Sequence, residues 1–282
     1  MNSRRWITLI IGTLLVAGHF AFIASTWKGV GYVKDAGYYF GAARDNFGWF
    51  VNLAENIADG KPLESFSERN TTRYWDNNHQ HPPLCKVFMG LNHHLWHKWI
   101  PILNYSNSHD VAALLWMSLM LALMFAFTVE IAGRTAAVFA VLTISFMPRV
   151  FFHTHINTFD IPAMSIWFVT IWFFRRGMLS VRWSWFTGVV LGVALATRNS
   201  SWFLPLVFFL LYFYSPYGLR FLHAVWTLPR TLRKTSWWKL AAGLVLFAAP
   251  PLVFFAHREA FNLTLFASVL TINIFIAWHW LR

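Results

Sequence analysis

Long apolar runs alternate with short polar connections over most of the chain. They predict membrane-spanning helices near 7–25, 110–129, 135–150, 161–174, 183–198, 201–214, 239–256 and 263–281. Several runs are shorter than the roughly 20 residues of a perpendicular helical span, so their ends are soft by a few residues. One stretch breaks the pattern. Residues 26–109 hold polar turn clusters, Ser65 to Thr72 and Asn77 to Gln80, around two segments with helical periodicity. In 44–58 the apolar positions are Phe47, Phe50, Val51, Ala54 and Ile57; in 86–99 they are Val87, Leu91, Leu95, Trp96 and Trp99. Amphipathic helices edged with Trp and Lys lie flat at a bilayer surface. The expected architecture is an all-α polytopic membrane protein of about eight spans with two surface-lying helices in its first outer loop. Its parts are a first span (1–25), the outer loop (26–109) and the remaining spans (110–282).

Charge orients this arrangement. Arg4 and Arg5 precede the first run, which is longer than the roughly 7–15-residue core of a cleavable signal and reads as a retained span. With that end inside, later inside connections carry Arg175, Arg176 and Arg182, then Arg220, Arg230, Arg233, Lys234 and Lys239. The short outside connections carry fewer cations: Arg149, Arg198 and Arg258. The asymmetry follows the positive-inside rule with both termini cytoplasmic.

Composition agrees. Of the 282 residues 57% are hydrophobic and only 12% charged, which is too little polar surface for a soluble fold of this size. The net charge of +12 could suggest nucleic acid, but no basic stripe or recognition motif accompanies it. The cations flank apolar runs and suit lipid headgroups. A single cysteine excludes an internal disulfide and a multi-cysteine metal site.

Candidate chemistry gathers at the outer connections. Asp35 follows the first span by about ten residues, with Tyr38 and Tyr39 beside it. A carboxylate there can serve as general base, or as a plain loop acid or helix N-cap. In His81-Pro82-Pro83-Leu84-Cys85-Lys86 two prolines stiffen a turn at the start of the second surface helix. A helix N-terminus flanked by His81 and Lys86 favours an anion such as phosphate, although the same sequence makes an ordinary loop-to-helix turn. Asp160 opens the 161–174 run, where an N-cap role competes with a functional one. Arg149, His153 and His155 share that connection, and Arg198-Asn199 sits on the next. They can face a phosphate or mark the headgroup boundary. His93 and His97 have the i, i+4 spacing of metal ligands, but no carboxylate joins them, which favours packing.

With these residues in place the chain resembles the GT-C membrane glycosyltransferases, in the group of protein O-mannosyltransferases and lipid A aminoarabinose transferases. The resemblance rests on Asp35-x-x-Tyr38-Tyr39, His81-Pro82-Pro83-Leu84-x-Lys86, Arg149 with Asp160-Ile-Pro162, and Ala194-Leu-Ala196-Thr-Arg198-Asn199. It covers residues 1 to about 215, and the HPPL-x-K element is closest to the O-mannosyltransferase branch. O-mannosyltransferases usually carry Asp-Glu at the first site, where this chain has Asp35-Ala36. Family members are usually longer, so the chain is expected to hold the N-terminal module without the usual C-terminal part.

The resemblance implies an inverting transferase that moves a sugar from a polyprenyl-phosphate donor to a protein hydroxyl, a lipid or a glycan. Asp35 would be the base and Asp160 its assistant. Tyr38, Tyr39, His81, Lys86, Arg149, His153, His155, Arg198 and Asn199 would bind substrate and phosphate. The leaving group is already a stable anion, so no cofactor is demanded and no metal ligand is assigned; a divalent ion is compatible. The expected location is the bacterial inner membrane, with the site facing the periplasm or exterior. The partners are the lipid-linked donor, the acceptor and membrane lipid. One alternative is a non-catalytic lipid-linked-sugar-binding subunit of a larger transferase, which would have a second membrane subunit as partner. A transporter fits less well, because the ionisable residues sit at the outer connections and not at mid-membrane.

Overall fold

A computed structural model describes residues 3–29, 33, 35–156 and 158–216. The runs at 239–256 and 263–281, with the cations from Arg220 to Lys239, lie outside the described residues. Among the described residues the chain is helical, with no strand. The helices are α1 (Ser3–Thr26), α2 (Ala36–Ala58), α3 (Glu68–Trp75), α4 (Leu84–His93), α5 (Tyr105–Ser145), α6 (Pro148–His155), α7 (Asp160–Gly177), α8 (Val181–Thr197) and α9 (Leu204–Phe213). Among the described residues two stretches are long and apolar enough to cross a membrane, Arg5–Thr26 and Tyr105–Ser145. They become three if the bent pair α6 and α7 counts as one span.

The runs expected at 110–129 and 135–150 fall in one element, α5, broken at Gly133. There φ is 84°, a left-handed conformation that glycine adopts without a Cβ penalty. Helix α5 ends at Ser145, before Pro148, because Met147 ahead of that proline takes an extended ψ of 120°. Proline then occupies the first turn of α6, where no donor is lost.

The chain divides into two compact units, Met1–Phe168 with Ala196–Arg198, and Val169–Leu195 with Asn199–Arg282. In the first unit α1 packs along α5. Ile11, Leu15 and Val16 meet a buried cluster that includes Ala113, Met117, Leu121 and Phe125. The segment 26–109 rests on the same frame. Ala36, Phe40 and Ala43 of α2 close a core with Met89 of α4 and Ala112 of α5. The α2–α4 crossing is tight at Gly90, where an added Cβ would stand 2.1 Å from the Ala43 carbonyl oxygen. Helix α2 starts at Ala36, well before the 44–58 segment, and α4 continues as a π-helical turn, His94–Trp99. In the second unit Phe174 stacks on Phe208 at 4.2 Å. The Arg176 guanidinium lies over the rings of Trp172 and Trp183.

Candidate functional site

The first unit holds a cavity of about 440 Å³. Asp35, Tyr39, His81, His153, Asp160 and Arg198 line it, with Phe152, Phe159, Thr158, Val33 and Ile156. Six residues expected at the site from four separate stretches of sequence are thus brought to one opening.

Asp35 stands at the N-cap position of α2, but its φ and ψ of −86° and −12° are helical and its side chain makes no cap bond. The carboxylate is therefore not spent on the helix terminus, which removes the plain capping role weighed from the sequence. Tyr39 lies one turn further along the same helix face. Its ring packs on Phe159 at 4.4 Å, and His81 meets Phe159 edge-on at 5.3 Å. These three rings form one wall. Burial and the neighbouring Asp35 carboxylate raise the Tyr39 pKa, so its hydroxyl stays protonated. Burial, then the charges of Lys86 and Arg198, push the His81 pKa below its ordinary value.

The other side is an ionic group around Asp160, the first residue of α7. One carboxylate oxygen pairs with Arg198, just past the end of α8. The other lies 3.2 Å from His153 Nδ1 and accepts from the Thr158 hydroxyl at 3.4 Å. Thr158 Oγ1 is also 3.2 Å from His153 Nδ1. Arg198 is held by its chain neighbour, since Cys85 at the start of α4 donates to the Thr197 carbonyl at 3.7 Å. That burial pushes the Cys85 thiol up to about 12, which makes it a packing residue and not a nucleophile.

Four expected residues of this unit do not line the cavity. Lys86 is 1% exposed, and its ammonium donates to the carbonyls of Asn78 at 2.7 Å and His81 at 3.0 Å. It stiffens the turn that carries His81, and burial lowers its pKa to about 8. His155 is 2% exposed; its Nδ1–H donates to the Phe151 carbonyl, so Nε2 accepts from Thr26 at 2.7 Å. It fastens α6 to the end of α1. Tyr38 and Arg149 point outward and are exposed. Asn199 opens a 3-10 turn in the second unit. Phe159 and Thr158 were not singled out from the sequence, although each adjoins or nearly adjoins Asp160.

The metal spacing read at His93 and His97 resolves into packing. The rings of His97, His93, His109 and Phe40 stack in a column, at centroid separations of 5.0, 4.2 and 4.3 Å. Each histidine Nδ1 has a local partner: Leu103 O for His97, Ser108 Oγ for His93 and Tyr105 O for His109. Among the described residues no three His, Cys, Asp or Glu side chains are placed to hold one metal ion.

No curated protein and no solved structure matches the chain. A family model does, that of the dolichyl-phosphate-mannose-protein mannosyltransferases, over residues 80–255. The matched region contains His81, His153, Asp160 and Arg198, while Asp35 and Tyr39 precede it. The match spans more than half of the chain, and the helical, apolar architecture agrees with it. The chain belongs to the dolichyl-phosphate-mannose-protein mannosyltransferase family, and is an integral membrane protein of the GT-C glycosyltransferase type.

Proposed function

We propose that the protein is an inverting glycosyltransferase that moves a sugar from a polyprenyl-phosphate donor to an acceptor hydroxyl or amine. The observation that carries the reading is the single cavity joining an uncapped acid, Asp35, to the Asp160–Arg198 pair and two histidines. Asp35 takes the acceptor proton as the acceptor heteroatom bonds to the anomeric carbon. The bond from that carbon to the phosphate oxygen breaks, and polyprenyl phosphate leaves. Arg198 provides the cation for the charge that builds on the phosphate, and Asp160 holds the guanidinium in place. The rings of Tyr39, Phe159 and His81 offer an apolar wall for a sugar face.

The same reading sets the protein in its membrane. About eight spans carry the chain, with both termini cytoplasmic. The outer segment and its two surface-lying helices present the cavity at the periplasmic face of a bacterial inner membrane, where the donor's lipid tail lies between helices. The sugar is a hexose or pentose, and the acceptor a protein hydroxyl, a lipid or a glycan.

The test uses purified protein, polyprenyl-phosphate mannose and a membrane extract as acceptor, and follows release of polyprenyl phosphate. Asp35→Asn is expected to keep the thermal melting profile and to lose release. Release unchanged by that substitution overturns the assignment of Asp35.

A further inference from the structure

The cavity has two histidines, and among the described residues only one of them, His153, has a carboxylate behind it. His153 directs Nδ1 toward Asp160 Oδ2 at 3.2 Å, with Thr158 Oγ1 at the same distance. A carboxylate accepts, so Nδ1 carries the hydrogen. The opposite nitrogen, Nε2, has no hydrogen-bond partner among the described residues, and the ring lines the cavity. A carboxylate–imidazole pair with its far nitrogen free toward substrate is the arrangement by which enzymes stabilise an imidazolium and move a proton. We propose that His153, held by Asp160, is the acid that protonates the departing phosphate.

The proposal rests on the transferase reading and adds a second proton to it. The donor is a phosphodiester with one negative charge. As its bond to the anomeric carbon breaks, the electron pair goes to the phosphate oxygen and a second charge develops. The monoester that leaves has a second pKa of about 6, close to the ordinary range of imidazole, so a proton passes between them with little penalty. The His153 Nε2 proton moves to that oxygen while the acceptor's proton moves to Asp35. Polyprenyl phosphate leaves as the monoanion. Water then carries the Asp35 proton back to His153, and charge balances over the cycle.

The surroundings select His153 over His81. Asp160, Arg198, Asp35, Tyr39 and His81 are the charged or titratable groups around the cavity. Asp160 lies directly against His153, with Oδ2 3.2 Å from Nδ1. His81 has Lys86 and Arg198 as its charged influences, and these together with burial favour its neutral form. His81 is thus a neutral wall, and Arg198 neutralises one oxygen of Asp160 while the other serves His153.

The experiment measures the pH–rate profile of polyprenyl phosphate release for the wild type and for His153→Gln. The wild type is expected to show an acid limb from the base and an alkaline limb from the acid. His153→Gln is expected to lose about 10²–10⁴-fold in rate, to lose the alkaline limb and to keep the acid limb. His153→Ala is expected to regain rate with added imidazole. A His153→Gln rate equal to wild type overturns the proposal, as does a uniform loss with both limbs kept, which is what a positioning role gives. A wild-type rate that stays flat from about pH 6 to about pH 9 overturns it whether or not the variant folds. Absence of any wild-type release overturns the transferase reading itself, whereas wild-type release with an indifferent His153→Gln overturns His153 alone.

Discussion

The first unit contains two groups of histidines built in opposite ways. The cavity group is open and ionic: His153 faces a carboxylate, that carboxylate faces a guanidinium, and both border empty volume. The column of His93, His97 and His109 is closed and aromatic in character. Its rings stack on one another and on Phe40, and each Nδ1 is satisfied by a backbone carbonyl or a serine. Burial, then the neighbouring histidines and Lys98, push His93 down to about 3. The same side chain is thus paired with a carboxylate at an opening in one place and stacked as an aromatic spacer in the other. What decides is whether a charged partner and solvent are available. The column ties α4 and the π-helical turn to α5, and so holds the segment that supplies Asp35, Tyr39 and His81 to the cavity.

The largest effect that separates the groups is on turnover. Asp35→Asn is expected to reduce release of polyprenyl phosphate by at least about 10²–10⁴-fold, the range for loss of a general base, with no shift in melting. A conservative column change, His97→Phe, keeps a stacking ring and is expected to leave turnover within a few-fold of wild type. If His97→Phe abolishes release in a folded protein, the division between the groups fails.

The next effect concerns packing. Gly90→Ala drives a Cβ into the Ala43 carbonyl oxygen and the Phe47 Cβ, where it would sit 2.1 and 2.5 Å away. The contact is with backbone, so relief requires α2 and α4 to separate. A cost at the upper end of the about 1–3 kcal/mol typical of overpacking is expected, read as a lower melting temperature in detergent. Turnover falls with it, because Asp35 and Tyr39 ride on α2.

The column also predicts an acid dependence of stability. His93 has an ordinary pKa of 6.5 and a folded value of about 3, so between these the unfolded chain binds more protons. Stability is therefore complete above about 6.5 and falls progressively as pH drops toward about 3. Melting temperature against pH checks this. His93→Phe is expected to be less stable near neutrality, because Ser108 Oγ loses the His93 donor and keeps only its bond to the Tyr105 carbonyl, and to show a shallower acid slope. An unchanged slope would mean that His93 does not carry the dependence.

These contrasts mark what the sequence made legible. Period revealed the helical class and the first apolar run long enough to span, because a bilayer and a helix impose strict spacings. Asp35, His81, His153, Asp160 and Arg198 were readable as candidates because ionisable residues beside apolar runs are costly without a role. Their partners were not. His155 and His153 are two residues apart and look alike, yet one meets Thr26, 129 residues away, and the other meets Asp160. Nothing local encodes that difference. Phe159 was overlooked because an aromatic in a chain with 29 Phe carries no signal until Tyr39 and His81 close around it.

Lys86 gives the smallest expected effect, and it refines the comparison because it belongs to neither group. Its ammonium is buried but spends its hydrogens on the Asn78 and His81 carbonyls. Lys86→Met leaves the His81 carbonyl without its donor and the Asn78 carbonyl with only the His81 N–H, at a cost of about 1–3 kcal/mol. The pH dependence has a definite sign. The folded value of about 8 lies below the ordinary 10.5, so between them the unfolded chain holds more protons and wild-type stability rises with pH. Below about 8 the wild type bears the cost of a buried charge, and the variant does not. The melting difference between wild type and Lys86→Met is therefore expected to widen from pH 8 toward 10.5 in favour of the wild type. Turnover is expected to fall only a few-fold, through displacement of His81, with KM for the donor rising more than kcat falls. A loss of turnover as deep as that of Asp35→Asn, with the fold intact, would move Lys86 from the loop it braces to the phosphate itself.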